Sequence, residues 1–345
     1  MIDEIVSEDI QRIIDDIKTS AFEDKNVLVT GGAGFIGSYL CDVLVELGAS
    51  VTCLDDFSTG LIQNIDHLFK RRNFKLIKGN VAEFGGGEKH DYILHFASRA
   101  SPEDYQLHAA ETLLANSVGS YRMLEITREH KSGILFASSS EVYGNTKVIP
   151  TPETYWGNVN PVGPRSCYDE GKRFAESLFM AYYREYGVDA RIVRIHNTYG
   201  PRLRADGNYA RALSRFVTQA LNGAKITVYG DGTQTRSFCY ITDTTLGILL
   251  ALIDERSKGE IFNIGSPDER TILKLAETIR QIAASRSQII FEPLPPDDPE
   301  RRCPDISKAA QVLEWSPKVI LEDGLLRTIQ WFRKTTSISP SAQGA

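Results

Sequence analysis

From residue 25 onward, short runs rich in β-branched residues alternate with longer amphipathic stretches. The short runs are NVLVT, SVTCLDD, FKLIKGN, YILHFAS, GILFASSS, ARIVRIHN and, after an interruption, IFNIGS. Strands that alternate with helices form a parallel sheet with helices packed on both of its faces. The sequence therefore predicts an α/β fold built on a doubly wound parallel sheet.

Composition and charge exclude several classes of partner. The chain has 345 residues, of which 42% are apolar, and this is enough for a globular core. Its formal net charge of -6 does not favour binding to nucleic acid. Its five cysteines are odd in number and include no C-x-x-C pair, so we expect neither a disulfide framework nor a metal site. The N-terminus is acidic, and no segment has ~18 uninterrupted apolar residues. We expect a cytoplasmic protein with no membrane partner.

A glycine-rich turn marks a phosphate cradle. The segment VLVTGGAGFIGSYL places Gly31, Gly34 and Gly37 between an apolar strand and an apolar helix. Glycines there allow a tight turn and bring the helix N-terminus close to a pyrophosphate. Asp55 closes the next strand 18 residues after Gly37, where a carboxylate accepts hydrogen bonds from ribose hydroxyls and repels a 2'-phosphate. Asp56 could equally bind a hydroxyl or cap a helix. The pattern predicts a Rossmann domain that binds NAD.

We expect the cofactor to contact residues from the first four strands and from a later helix. These residues are Gly31, Gly34, Phe35, Ile36, Gly37, Asp55, Asp56, Phe57, Ser58, Thr59, Gly60, Asn80, Val81, Ala97, Ser98, Tyr168 and Lys172.

The chain divides into four predicted parts. Residues 1–24 form a helical extension, and residues 25–200 with 237–265 form the NAD-binding domain. Residues 201–236 and 266–335 break the alternation and predict a smaller, largely C-terminal lobe that faces the carboxyl edge of the sheet, where substrates bind. The small and polar residues 336–345 predict a disordered tail.

The segment CYDEGK contains a tyrosine and a lysine with i, i+4 spacing. Tyr168 and Lys172 would share one helix face, where the ammonium would stabilise the phenolate and lower the pKa of the tyrosine. Such a tyrosine is a usable general base. Tyr143 and Lys147 have the same spacing. Because the turn-forming pair GN follows Tyr143, we do not expect this second pair to share a helical face.

Three serines, Ser138 to Ser140, end the apolar strand GILFASSS. A hydroxyl at a strand end can hold a substrate hydroxyl while Tyr168 takes its proton.

With the glycine turn, the serine strand end and the Tyr/Lys helix in this order, the chain resembles the extended short-chain dehydrogenase/reductase superfamily, whose members act on nucleotide sugars. The blocks SSSEVYG, PETYWGNVNPVGPRSCYDEGKR, NTYGPR, TVYGDGTQTRSF and DDPERRCPDISKA resemble the UDP-glucuronate decarboxylase family, also called UDP-xylose synthases. The resemblance runs from about residue 25 to 333. It implies that bound NAD oxidises C4 of UDP-glucuronate, that CO2 leaves from C5, and that the same cofactor reduces the 4-keto pentose to UDP-xylose.

The resemblance also implies roles for individual residues. Tyr168 would be the base, Lys172 its electrostatic partner, and Ser139 and Ser140 the hydroxyls beside the sugar. Glu141 would assist at the C5 carboxylate or protonate C5 through water. The implied substrate contacts are Tyr105 with the glucuronate, Arg302 with anionic oxygens, Asn197 and Arg236 with the diphosphate, and Tyr229 with the uridine.

Several positions depart from the family pattern. Asn80 stands where the family usually has Asp, Arg99 where it has Pro, and His196 where it has an apolar residue. Asn208 stands where the family commonly has an arginine near the cofactor phosphates. Either Arg204 or Arg211 would have to supply that charge.

Three other functions are weighed against decarboxylation. A 4,6-dehydratase would need an Asp where Ser140 stands, and serine is a poor acid at neutral pH. A UDP-glucuronate 4-epimerase, or another UDP-sugar 4-epimerase, would have similar residues and is the main alternative. A non-catalytic NAD-sensing protein would be expected to have lost Tyr168 or Lys172.

Two helical segments carry apolar stripes wider than one sheet face needs. They are LHAAETLLANSVGSYRMLEI and KRFAESLFMAYYREYG. Two such helices from each of two chains could pair in a four-helix contact, as the resemblance implies, so we expect a homodimer.

Overall fold

A seven-stranded parallel sheet forms the centre of the computed structural model, which describes residues 2–295 and 298–336. Its strands are β1 Asn26–Thr30, β2 Ser50–Asp55, β3 Phe74–Lys78, β4 Tyr92–His95, β5 Gly133–Ser139, β6 Asp189–Ile195 and β11 Ile261–Ile264. Their order is β11-β6-β5-β4-β1-β2-β3, and every pair is parallel. All seven predicted strands and the doubly wound fold are confirmed. The strand order reverses between β1 and β4, which opens a crevice at the carboxyl edge.

Helices next to the main strands cover both faces of the sheet, and the described part of the chain forms ten α-helices in all. They are α1 Glu4–Ile17, α2 Phe35–Glu46, α3 Pro102–Leu107, α4 Ala109–His130, α5 Ser166–Tyr186, α6 Ala212–Leu221, α7 Ile241–Ile253, α8 Ile272–Ile282, α9 Ser307–Val312 and α10 Leu321–Thr336. Successive strand residues point to opposite faces. In β1, Leu28 joins the core under α4 and α5, while Val27 and Val29 join the core that includes α1, α2 and α7.

Short strands outside the main sheet bring distant segments to its carboxyl edge. β8 Ile226–Tyr229 pairs with β13 Ile289–Glu292, and β7 Thr198–Tyr199 pairs with β10 Cys239–Tyr240. β9 Thr235–Ser237 lies between β12 Glu269–Thr271 and β14 Arg301–Arg302. This last sheet places Arg302 directly opposite Arg236.

The N-terminal helix α1 is fastened to the rest of the chain by a buried carboxylate. Asp9 accepts a hydrogen bond from the Tyr240 hydroxyl at 2.7 Å and another from Arg327 Nε at 3.0 Å. Of the tail predicted to be disordered, residues 337–345 lie outside the described residues. None of the helices in the described part of the chain is long and apolar enough to cross a membrane.

Candidate active site

A cleft of about 690 Å³ opens at the carboxyl edge of the sheet. It is lined by all of the site residues predicted from the sequence except Phe57, Gly60 and Tyr105. The cleft therefore brings together residues that are more than 250 positions apart in the chain, from the glycine turn to Arg302.

The glycine turn has the geometry of a phosphate cradle. Gly31 has a φ of +70°, and a Cβ on it would lie 2.9 Å from the Phe96 carbonyl oxygen. A Cβ on Gly37 would lie 2.1 Å from the Gly31 carbonyl oxygen, so α2 packs directly on the turn. Gly34 is the N-cap of α2 and has extended backbone. The unbonded amides of the first turn of α2 can therefore face an anion.

Asp55 lies beside this turn, and each of its carboxylate oxygens accepts a hydrogen bond. Oδ2 accepts from the Ala33 amide at 2.9 Å, and Oδ1 accepts from the Phe57 amide at 2.8 Å. Each oxygen keeps a lone pair for a further donor, as a ribose hydroxyl requires. Burial raises the pKa of Asp55. Exposed Asp56 accepts from the Ser58 amide at 2.8 Å, which is a turn-capping role.

Phe57 and Gly60 were predicted to contact the cofactor, and the structure places both behind the cleft. Phe57, which has a φ of +60°, packs against the apolar core. A Cβ on Gly60 would lie 2.7 Å from Asp55 Oδ1, so this glycine is required by the close approach of the carboxylate.

Tyr168 and Lys172 lie on the buried face of α5, as their spacing predicts. Tyr168 and Ser139 both line the cleft, and the serine hydroxyl lies near enough to the phenol to oppose the rise in its pKa. Lys172 Nζ donates to the Ala137 carbonyl at 2.8 Å and lies 4.7 Å from the centre of the Phe136 ring.

The control pair, Tyr143 and Lys147, does not share a helix. Tyr143 ends a single 3₁₀ turn, Ser140–Tyr143, and its hydroxyl donates to Asn263 Oδ1 at 2.8 Å. Lys147 is exposed. The i, i+4 spacing therefore produced a Tyr/Lys pair only where the intervening sequence is helical.

The expectation that Lys172 lowers the pKa of Tyr168 is wrong. Burial raises the pKa of Tyr168 to about 12, while the hydrogen bond with Ser139 and the charge of Arg211 oppose the rise. Burial also lowers the pKa of Lys172 to about 7. Both groups are thus shifted towards their uncharged forms, because each lies in a low-dielectric interior.

Tyr105 does not reach the cleft, although it was predicted to contact the sugar. Its ring is 1% exposed and stacks on the Tyr168 ring, with 5.1 Å between ring centres and 4° between planes. It therefore fixes the orientation of the Tyr168 ring from behind.

Glu141 is held between two guanidinium groups. Arg302 donates from Nη1 to Oε1 at 2.5 Å and from Nη2 to Oε2 at 2.8 Å, and Arg165 Nη2 donates to Oε2 at 2.8 Å. These charges hold the pKa of Glu141 well below its usual range, despite burial. The carboxylate is permanently ionised at neutral pH, so it is a poor proton donor. Of the two roles that the resemblance offers, direct action at the C5 carboxylate fits this state better.

A second carboxylate, Asp298, joins Arg165 to a third arginine, Arg236. Asp298 Oδ2 accepts from Arg236 Nη2 at 2.9 Å, and Asp298 Oδ1 lies 3.6 Å from Arg165 Nη1. Burial lowers the pKa of Arg236 to about 10. We call Arg165, Arg236, Arg302, Glu141 and Asp298 the arginine cluster. Its three cations and two anions leave an excess of positive charge for an anionic ligand.

Comparison with known proteins agrees with this geometry. Residues 27–265 match the model of the NAD dependent epimerase/dehydratase family. The chain belongs to this family. It is 46% identical over 310 residues to UDP-glucuronic acid decarboxylase 1 of Danio rerio, a match that covers 90% of this chain and 73% of the relative. It is 47% identical over 307 residues to UDP-glucuronic acid decarboxylase 1 of Arabidopsis thaliana, covering 89% and 69%.

Solved structures of epimerases share the fold. UDP-glucuronic acid 4-epimerase from Bacillus cereus, in complex with UDP-glucuronic acid and NAD, has a TM-score of 0.82 and 29% identity, and the match covers 90% of this chain and 99% of the other. UDP-glucose 4-epimerase from Thermotoga maritima has a TM-score of 0.83 and 32% identity, with the same coverage.

The cofactor of an NAD dependent epimerase/dehydratase fits the cradle described above. A dinucleotide of this kind requires glycines in a tight turn, a helix N-terminus and a buried carboxylate. All three are present here, and a Cβ atom added to either of two of these glycines would overlap the backbone. The glycine turn, the N-terminus of α2 and Asp55 would hold NAD, which would supply hydride transfer.

Among the departures from the family pattern, Asn208 is the one expected to affect binding of the cofactor phosphates. The side chain of Asn208 lies outside the described residues. Arg204 lines the cleft, donates to the Thr59 carbonyl at 2.9 Å and lies 3.5 Å from the centre of the Tyr209 ring. Arg211, the N-cap of α6, also lines the cleft. Both candidates for the missing charge are therefore present.

Three further departures are accommodated by local contacts. Arg99 forms a bidentate pair with Asp104 at 2.8 and 2.9 Å. His196 is buried, and burial lowers its pKa to about 3. Asn80 caps its own turn by accepting from the Ala82 amide at 2.9 Å.

The sequence reasoning missed three cleft residues and left one ambiguity. Arg165, Asp298 and Arg215 were not selected, although the first two lie inside blocks that carry the resemblance. A cation one turn before Tyr168 was the available signal for Arg165. The ambiguity between Arg301 and Arg302 is resolved, because Arg301 is exposed and pairs with Glu269 at 2.7 Å.

Proposed function

We propose that this chain catalyses the NAD-dependent decarboxylation of UDP-glucuronate to UDP-xylose and CO2, through a UDP-4-keto-pentose, with NAD recycled in each turnover. The observation that carries the proposal is the ionised Glu141, held by Arg302 and Arg165 in the same cleft that Tyr168 and Ser139 line. The identity of about 46% with curated UDP-glucuronic acid decarboxylases supports it.

The first task of the site is to remove the proton of the C4 hydroxyl. Ser139 holds that hydroxyl, and Tyr168 accepts its proton, because both side chains line the cleft and the serine hydroxyl lies near the phenol. Lys172, in its protonated form, supplies the positive charge that favours the phenolate. NAD supplies the chemistry of taking the C4 hydride and later returning it.

The second task is to release CO2 from the keto acid. A carboxylate β to a ketone can leave as CO2 because the ketone oxygen accepts the electron pair, so the protein needs only to hold the ring in place. Arg302 orients the C5 carboxylate, and the ionised Glu141 beside it makes that carboxylate less stable in its bound state than after CO2 has left. Loss of CO2 leaves an enolate, which takes one proton from solvent at C5 to give the 4-keto pentose. Tyr168 then returns its proton to the C4 oxygen when C4 is reduced.

The arginine cluster and the smaller lobe hold the nucleotide. Arg236 and Asn197 suit the diphosphate, since both line the cleft next to the excess positive charge. Tyr229 lines the end of the cleft formed by β8 and suits the uridine. In this division of labour, residues 25–200 with 237–265 bind NAD, residues 201–236 with 266–335 bind the nucleotide sugar, and residues 1–24 are an extension.

A 4-epimerase is the competing function. The UDP-glucuronic acid 4-epimerase of Bacillus cereus shares the fold and binds the same class of sugar acid. A 4,6-dehydratase is less favoured, because Ser140 in the cleft offers no acid at neutral pH.

Mass spectrometry of UDP-glucuronate incubated with the purified protein and NAD tests the proposal. A product lighter by the mass of CO2, with the UDP-xylose retention of an authentic standard, is expected. A product of unchanged mass with a new retention time would establish the epimerase instead.

We also infer a homodimer in the cytoplasm. The outer face of α4 exposes Leu113, Leu114, Val118 and Tyr121, and α5 exposes Phe174 beside it. A contiguous apolar strip on two adjacent helices suits an isologous contact with a second copy. The five cysteines are all unpaired, which suits a reducing compartment.

Light scattering after gel filtration tests the dimer. Leu114→Glu is expected to shift the mass from two chains to one, because a charge would be buried in the contact. Leu326→Glu on α10 is the matched control, since Leu326 is similarly exposed, and it should leave the mass unchanged. A wild-type mass of one chain would contradict the dimer.

A further inference from the structure

One serine of the strand end GILFASSS turns away from the reacting groups. Ser138 Oγ donates to Glu176 Oε1 at 2.6 Å. Glu176 lies on α5 one turn after Lys172 and is 8% exposed. A buried carboxylate therefore ties the end of β5 to the helix that carries Tyr168.

Glu176 is also one half of a buried ion pair. Arg194 of β6 donates from Nε to Oε1 at 2.9 Å and from Nη2 to Oε2 at 2.7 Å. Arg194 Nη1 continues the network by donating to the Tyr143 hydroxyl and to the Glu153 carbonyl, each at 2.9 Å. The bidentate geometry fixes the carboxylate in one orientation.

The charged and titratable groups around Lys172 give this carboxylate a second effect. Tyr168 shares its helix, His95 of β4 faces it, and Arg194 lies beyond Glu176. Burial lowers the pKa of His95 to about 3, so this imidazole is neutral and offers Lys172 no charge. Glu176 is the group whose negative charge raises the pKa of Lys172 against the effect of burial.

We propose that Glu176 is a positioning residue for the reaction: it holds the serine strand end against the Tyr168 helix and keeps Lys172 protonated during turnover. The inference rests on the proposed function only in that turnover is its readout. Buried ion pairs are often replaceable by apolar residues without loss of stability. A charged carboxylate one turn from the lysine therefore suits an electrostatic task as well as packing.

The pH profile of kcat/KM for Glu176→Gln tests the proposal. Activity needs protonated Lys172, so it falls as pH rises through the pKa of that lysine. Glutamine keeps the shape and the hydrogen bond to Ser138 but lacks the charge, so the pKa of Lys172 drops further. We expect the alkaline limb of the profile to move to lower pH by roughly one unit, with a smaller change in KM than in kcat.

Tyr143→Phe is the matched control, because it removes one hydrogen bond to Arg194 and leaves the Glu176 carboxylate in place. It should lower the melting temperature and leave the alkaline limb where it is. If Glu176→Gln also lowers only the melting temperature, Glu176 is purely structural and the proposal is overturned. If Glu176→Gln fails to fold, Glu176→Asp is the deciding variant. Its shorter carboxylate keeps the negative charge, so the alkaline limb of the pH profile should stay where it is while kcat falls. An alkaline limb that moves by roughly one pH unit in this variant would refute the charge effect.

Failure of the proposed function gives a different result. A wild-type protein that epimerises UDP-glucuronate instead of decarboxylating it still uses Tyr168 and Lys172, so the same pH profiles can be measured on the epimerised product.

Discussion

Two ionisable groups that line the cleft, Lys172 and Glu141, behave in opposite ways. Lys172 loses its charge readily, since burial lowers its pKa to about 7. Glu141 keeps its charge under all ordinary conditions, because Arg302 and Arg165 each donate hydrogen bonds to it. Burial decides the protonation state of Lys172, whereas the two neighbouring arginines overcome burial at Glu141.

The difference matches the two chemical tasks. Proton transfer at C4 needs groups that can change protonation near neutral pH. The carboxylate that supports the charge of Lys172, Glu176, is itself paired with Arg194, so it offsets only part of the effect of burial. Handling a sugar acid and a diphosphate needs permanent charge, which the arginine cluster provides. The end of the cleft that contains Tyr168 and Lys172 can therefore change its protonation state, and we call it the adjustable end. The end formed by the arginine cluster keeps its charges, and we call it the fixed end.

Replacing Tyr168 by phenylalanine should have the largest effect, because it removes the only atom that exchanges a proton at the adjustable end. Turnover should fall by about 10²–10⁴-fold, the usual contribution of general acid and base catalysis. The stacked Tyr105 ring keeps the phenyl ring in place, so UDP and NAD should bind as before. Product formation measured by mass spectrometry, with binding measured by calorimetry, checks this. Equal turnover would remove Tyr168 from the mechanism.

Replacing Glu141 by glutamine breaks the fixed end and should lower both turnover and stability. The folded-state pKa of Glu141 is depressed, so its stabilisation is fully present above the ordinary glutamate pKa and is lost as pH falls below it towards the folded-state value. Leaving two buried arginines without this carboxylate costs ~3–5 kcal/mol at pH 7. Urea unfolding at pH 7 and pH 4 checks this. If the difference in free energy of unfolding between wild type and Glu141→Gln is no smaller at pH 4 than at pH 7, the depressed pKa of Glu141 is contradicted.

The adjustable end and the NAD cradle could be predicted from the sequence because they depend on local patterns. A strand, three glycines and a helix encode the turn around Gly31, and a helical i, i+4 spacing encodes Tyr168 with Lys172. These signals lie within one or two elements, so periodicity and turn chemistry are enough to place them.

The fixed end could be predicted only in part because it depends on contacts between distant segments. Arg302 meets Glu141 across 161 positions through the pairing of β14 with β9, and Asp298 meets Arg236 across 62. The sequence does not show which carboxylate faces which arginine. The error over the pKa of Tyr168 has the same origin, because spacing reports a neighbouring charge and not the burial that opposes it.

Replacing Lys172 by methionine should lower turnover by less than Tyr168→Phe and yet raise stability. The folded-state pKa of Lys172 is lowered, so the unfolded chain binds more protons between pH 7 and the ordinary lysine pKa, and burial of the charge costs stability below that range. Methionine avoids this cost, although it loses the hydrogen bond to Ala137 and the contact with Phe136. The net gain should be on the order of 1–2 kcal/mol at pH 7.

The pH dependence of that gain is the sharper test. The difference in free energy of unfolding between Lys172→Met and wild type should shrink as pH rises from 7 to 9, because the wild-type lysine becomes neutral in the folded state. A gain that is constant with pH would show that packing, and not buried charge, explains it.

Replacing Asp298 by asparagine should have the smallest effect and should favour the ligand. Asp298 is 26% exposed in its side chain and occupies donors of Arg236 and Arg165 that an anionic ligand would use. An ion pair of this exposure contributes ~0.2–1 kcal/mol, so UDP should bind up to about 5-fold more tightly to the variant. Calorimetry with UDP and with uridine separates the causes. Tighter UDP with unchanged uridine is expected, because the freed arginines recognise phosphate; weaker UDP binding would show that Asp298 orients Arg236 for the diphosphate and does not compete with it.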